Sequence, residues 1–249
     1  MALIQRGSFE DFSMRVAAPV RAGRAALGAL ETVRQVREAT RAVQPVSLEF
    51  HVSTEPRGLA LKSVKLTQGF EGFLQNVFNP TNEVYFVAWS WDLSGAPVVE
   101  YPGAGADPST CIIPLRVGQV REFLGAGIVL FPARIVTGGL AIRIMLWESD
   151  QGPRHFGKVM SEVANTIKAS KLNNLLSLIS TVTGATMATV ELVMYAAIEL
   201  ADAIGKILHA NSDDYVDFYE GYYPASESWT SGHETHQGIA SEITLTRLV

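Results

Sequence analysis

The chain has 249 residues, 47% of them hydrophobic and 18% charged, with a formal net charge of −5. That length can bury a sizeable core, and the composition excludes a disordered chain. It gives no reason to expect nucleic acid, whereas so apolar a chain is expected to meet a protein or lipid partner.

The charge is uneven. Residues 1–45 hold seven arginines against four acids, and the remainder is acidic. The first predicted element is a helix over 20–43, entered after Pro19 and stopped by Pro45. Leu27, Leu30, Val33 and Val36 form its narrow apolar stripe, and Arg34, Arg37 and Arg41 gather on another face. Such a helix either packs on the body or serves as an arm that binds a neighbouring subunit or an anionic surface. The opening MALIQRGSFEDF lacks a long apolar core, so no cleavable secretory signal is expected. On that reading the chain is expected in the cytoplasm or on a non-classical export route.

From Val46 the period changes to two. In VSLEFHV, Val46, Leu48, Phe50 and Val52 alternate with Ser47, Glu49 and His51, the pattern of a half-buried strand. Further strands are predicted at 59–66, 83–91, 111–117, 127–136 and 140–147, separated by turns such as NPTN, SGAP, GAGADP and TGG. EVYFVAWSW (83–91) is apolar on both faces and is expected to be central and covered on both sides. The lone cysteine, Cys111, forbids an intramolecular disulfide and reads as a small buried hydrophobe.

Residues 158–209 carry no strand signal and read as two helices broken near Gly184. In the second, Met187, Val190, Met194, Ala197, Ala201, Ile204 and Leu208 recur at steps of three and four. Residues 172–190 contain no charge, which is about the length a membrane-inserting hairpin needs. Asn173, Asn174, Gly184, six Ser or Thr residues and the charged stripe of the second helix weigh against insertion. An Asp at a bilayer centre costs about 2.5–3.5 kcal/mol on insertion scales. A helix pair covering one face of a sheet carries no such cost. Strands return at 213–221 and 241–249.

The expected fold is therefore mainly β with α: an antiparallel β-sandwich with an N-terminal helix and an inserted helical hairpin. The expected organisation is a helical arm at 1–45 and a sandwich domain at 46–249, with the insertion at about 158–210.

Two stretches bear on metal binding. LAIRIMLWESDQGPRHFG (140–157) ends a strand in two acids one residue apart, and NEVYFVAWSW (82–91) sets an acid before a tyrosine. Together they resemble parts of the calcium-dependent phospholipid-binding β-sandwich domain of protein kinase C and synaptotagmins. The resemblance implies calcium ligands at Glu148 and Asp150 and a glycine, Gly157, opening the next strand. The family adds a further carboxylate in that loop, where this chain has Arg154 and His155. Calcium wants six to eight oxygen ligands, so weak or no binding is expected. Asp92, Asp213, Asp214 and Asp217 would complete an acidic rim with Glu148 and Asp150 if the strand ends met on one edge; otherwise they are solvated acids.

YVDFYEGYYPASESW (215–229) holds six of the 22 aromatic residues. Tyr219, Tyr222, Tyr223 and Trp229 are candidates to anchor a partner, or to close the end of the sandwich. His233 and His236 in SGHETHQG are read as part of a polar loop, without the HExxH order of a zinc protease. No helix pattern follows GAGADP, and no G-x-S-x-G turn is present. The chain is therefore expected not to be an enzyme and to need no cofactor, calcium being the one the resemblance implies. A non-catalytic interaction or assembly module, with a protein partner or self-association, is the first expectation. A membrane-acting, pore-forming protein using residues 172–208 is the alternative.

Overall fold

The computed structural model describes residues 50–68, 81–149, 153–179, 187–211 and 213–249. The predicted arm with Arg34, Arg37 and Arg41 lies outside them, as do Asp150 and residues 46–49 of the first predicted strand. Of that strand, Val52 makes a single bridge to Thr137.

The protein is mainly β, with two antiparallel sheets and a few helices. The strands are β1 (Arg57–Leu66), β2 (Asn82–Trp91), β3 (Val99–Tyr101), β4 (Ile113–Leu115), β5 (Val120–Glu122), β6 (Ile128–Arg134) and β7 (Gly139–Glu148), followed by β8 (Asp214–Pro224), β9 (Gly232–Gln237) and β10 (Ser241–Leu248). A one-turn helix α1 (Pro108–Cys111) precedes β4, and α2 (Pro153–Lys168), α3 (Lys171–Ile179) and α4 (Met187–Ala210) lie between β7 and β8. The first sheet runs β5-β1-β10-β9 with β6 also on β1; the second runs β3-β2-β7-β8 with β4 also on β2.

Side-chain parity explains the layering. Leu59, Leu61, Val64 and Leu66 of β1 share one core with Phe86 of β2, Ile144 of β7 and Ile243 and Leu245 of β10, so residues of both sheets meet in it. The opposite face of the second sheet carries Tyr85, Val87, Trp89, Met145 and Trp147, which pack against the helices. β2 and β7 are thus buried on both faces, as the continuous apolar run of β2 requires. Each large side chain removed from water contributes about 1.5–3 kcal/mol. In α4, Val193, Ala197, Leu200, Ile204 and Leu208 form the buried stripe, and its alanines let the helix approach the sheet.

Several local readings are corrected. Three helices replace the predicted pair. The first starts at Pro153, a residue suited to the first helical position, and Phe156, Met160, Val163 and Ile167 fill its buried face. The second break falls at Ser170, whose hydroxyl accepts the Asn173 N–H at 3.2 Å as a cap. Gly157, where the resemblance implies a strand opening, lies inside α2. The polar stretch SGHETHQG is not a loop; it forms β9, paired along its length with β10. Residues 111–117 yield only a three-residue strand, because Cys111 closes α1, which Asp107 caps by accepting the Ser109 N–H. Among the described residues, no helix is long and apolar enough to cross a membrane.

Candidate functional site

The strand register decides which acids meet. Val84 of β2, Glu148 of β7 and Asp214 of β8 stand side by side at one end of the second sheet. Asp213 belongs to the same end, where Tyr85 donates its hydroxyl to Asp213 Oδ2 at 2.5 Å and Asn211 donates at 3.1 Å. Burial, then the Asp213 and Glu148 charges, pushes the Tyr85 hydroxyl far above the ordinary tyrosine range, so it stays a donor.

Asp92 does not join them. It follows the far end of β2, beyond the Trp91–Ala141 pair, and is fully buried. There it accepts from Arg134 Nη2 at 2.9 Å, Ser94 Oγ at 2.8 Å and the Thr137 N–H at 3.0 Å. Asp217 is occupied as well, accepting from the Ile239 and Ala240 N–H groups and from the Ser241 hydroxyl at 2.7–3.0 Å. The acids that would form one rim if the strand ends met on one edge are therefore divided between two ends of the second sheet, and Asp92 and Asp217 are tied into the structure by hydrogen bonds. Among the described residues no group of three or more His, Cys, Asp or Glu is placed to hold a metal ion. His233 and His236 lie three apart on β9 and so point to opposite faces; His233 meets Thr246 and His236 meets Glu234.

Three aromatic side chains of the 215–229 stretch belong to the core that takes residues from both sheets. Tyr219, Tyr223 and Trp229, candidates either to anchor a partner or to close the end of the sandwich, are buried. The Tyr219 hydroxyl meets Ser241 Oγ at 2.8 Å, and Tyr223 donates to Glu234 at 3.2 Å. Trp229 donates its indole N–H to the Leu248 carbonyl at 2.7 Å and stacks edge-on against Tyr223. The guanidinium groups of Arg57 and Arg247 cover the Trp229 ring at 5.4 and 5.1 Å. Of the four candidates only Tyr222 is exposed, and its hydroxyl donates to the Gly138 carbonyl.

An exposed apolar surface lies instead along β5 and β6. β1 pairs with β6 over its first half and with β5 over its second, and its register slips between Leu61 and Ser63. That extra residue keeps Ala60 and Lys65 on one face of β1, so their partners Val129 and Val120 share that face too. Both valines are exposed, as is Val117, and Leu124 at the turn between the strands is 95% exposed. The turn is pinned. Lys62 Nζ donates to the Phe123 and Gly125 carbonyls, Phe123 donates back to Lys62, and Gly127 donates to Leu124. Gly127 has φ +101°, and a Cβ there would stand 2.2 Å from the Leu61 carbonyl oxygen. Leu124 is thus held out by a specified turn. Arg116, Arg121 and Glu122 edge the surface with both signs of charge. The stretch GQVREFLGAG (118–127) carries no signal in the sequence, because its apolar residues follow neither strand nor helix period.

No protein-family model matches the chain, and no curated relative does. Among solved structures, the chain is similar to human GIVD cytosolic phospholipase A2 in complex with methyl gamma-linolenyl fluorophosphonate inhibitor and terbium chloride. That similarity has a TM-score of 0.32 and 8% identity, over 80% of this chain and 18% of that one. At that level it carries no argument about fold or activity.

Proposed function

We propose that this chain is a non-catalytic protein-interaction module, with its two sheets stacked as the leaves of a β-sandwich. It presents the β5–β6 edge to a protein partner, in the simplest case a second copy of itself. Support for the sandwich comes from the core that takes residues from both sheets. Leu124 carries the functional reading: a leucine 95% exposed at the tip of a turn that four hydrogen bonds hold in place. Scattered exposed apolar residues are ordinary, but here Val117, Val120 and Val129 lie along the same edge. Covering that edge would bury them, and Arg121 and Glu122 beside them suit a self-complementary contact.

Membrane insertion of residues 172–208, the alternative from sequence, receives less support. The apolar stripe of α4 is already spent against the second sheet, and its other side carries Glu199, Asp202 and Lys206. A Leu124→Cys variant tests the proposed edge by disulfide cross-linking under mild oxidation, since Cys111 is buried. Cross-linked dimer, or a cross-linked adduct with a protein from the source, supports the reading. Monomer throughout, with no captured protein, contradicts it.

A further inference from the structure

A second site, independent of the β5–β6 edge, lies where α4 crosses the outer face of the second sheet. There a cleft of about 520 Å³ opens between Trp91, Leu93, Ala141, Val193, Met194 and Ile198. Its size falls in the range of small-molecule sites, roughly 300–1,000 Å³. Met194 and Tyr222, 43% and 44% exposed, stand at its mouth.

Arg143 supplies the one charged donor of its lining, and its side chain is only 1% exposed. Its Nε and Nη2 both donate to a single oxygen, Glu220 Oε1, and the guanidinium lies 5.7 Å from the Trp91 ring centre. Nη1 is buried and has no hydrogen-bond partner among the described residues. A buried donor left unpaired is costly, and an acceptor brought by a ligand would remove that cost. The charge is already balanced by Glu220, so a carboxylate or phosphate would bring an uncompensated anion into an apolar cleft. A neutral acceptor would not.

We infer that the cleft between α4 and the second sheet binds a small, mainly apolar molecule bearing one neutral carbonyl oxygen, an ester, amide or ketone, which accepts from Arg143 Nη1. The apolar body would lie against Trp91, Val193 and Ile198.

The test uses the full chain and two neutral fluorescent probes, a naphthyl ketone (6-propionyl-2-dimethylaminonaphthalene) and N-phenyl-1-naphthylamine, which lacks an acceptor oxygen. The ketone is expected to bind at one site with a dissociation constant of about 10 μM. Met194→Trp, which fills the mouth from an exposed position, is expected to weaken both probes about tenfold. The double variant Arg143→Met, Glu220→Gln removes the donor without stranding a charge. It is expected to weaken the ketone about tenfold and leave the amine unchanged, so a general loss of structure is told apart from loss of the donor. Methyl dodecanoate is expected to displace the ketone better than dodecanoate. Absence of saturable ketone binding, binding indifferent to Met194→Trp, equal loss of both probes in the double variant, or better competition by the carboxylate would each overturn the inference.

Discussion

Asp217 and Ser241 are joined across the two sheets: the Ser241 hydroxyl donates to Asp217 Oδ2 at 2.7 Å, and both side chains are buried. Asp217 stands on β8 of the second sheet, while Ser241 opens β10 of the first. The same carboxylate takes the Ile239 and Ala240 N–H groups of the turn between β9 and β10. Asp217 is thus a clamp between the sheets.

Asp217→Ala is expected to cost about 1–3 kcal/mol, since it strands the buried Ala240 N–H and leaves the Ser241 hydroxyl with Tyr219 alone. Gly238→Ala should act on the same clamp, because its Cβ would stand 2.3 Å from Asp217 Oδ2 and force the carboxylate aside. A loss of about 1–3 kcal/mol is expected there. Urea unfolding of both variants measures this. Midpoints equal to the parent chain would remove the clamp from the account.

Alkaline pH should unfold the protein through its tyrosines. Burial raises the hydroxyls of Tyr85, Tyr101 and Tyr215, and pushes Tyr223 up to about 12 against the opposing Arg247 charge. The unfolded chain ionises near pH 10, before the folded one does. Their contribution to stability is therefore full below about pH 10 and is lost as pH rises toward and through the folded values. Tyrosinate absorbance is expected to show a late wave that coincides with loss of far-ultraviolet circular dichroism. Full ionisation with the fold intact would contradict this.

Calcium should bind weakly or not at all. Asp92 lies at the far end of β2 from Glu148, and Asp217 is held by its three donors. Calorimetric titration of chelator-treated protein is expected to give no dissociation constant below about 10 μM, the sensor range. Tighter binding that disappears in Asp150→Asn would show that the loop after β7 is a calcium site.

The elements legible in the sequence were those whose burial is one- or two-sided and regular. The alternation of β10 and the double apolar face of β2 announced strands, and the Ala197, Ala201, Ile204 and Leu208 stripe announced α4. β9 escaped because GHETHQ has no apolar residue; its order comes from backbone pairing with β10 and from contacts such as Thr235 with Thr244. The hydrogen bonds of Asp92 and Asp217 were illegible for a different reason. Their partners, Arg134, Thr137 and the turn at 239–241, are distant in sequence, and spacing carries no information about them. The burial of Tyr219, Tyr223 and Trp229 likewise depends on Arg57, Ser241 and Arg247 from the other sheet. Leu124 was unreadable for the opposite reason: its exposure follows from a turn fixed by Lys62, Gly125 and Gly127.

Sedimentation equilibrium of the intact chain beside Leu124→Asp tests the interaction surface most directly. Leu124 makes no buried contact to lose, so the variant should keep its stability to within about 0.5 kcal/mol. The parent chain is expected to show a concentration-dependent mass above that of one copy, and the variant the mass of one copy at every concentration. Equal association in both proteins would contradict assembly through the β5–β6 edge.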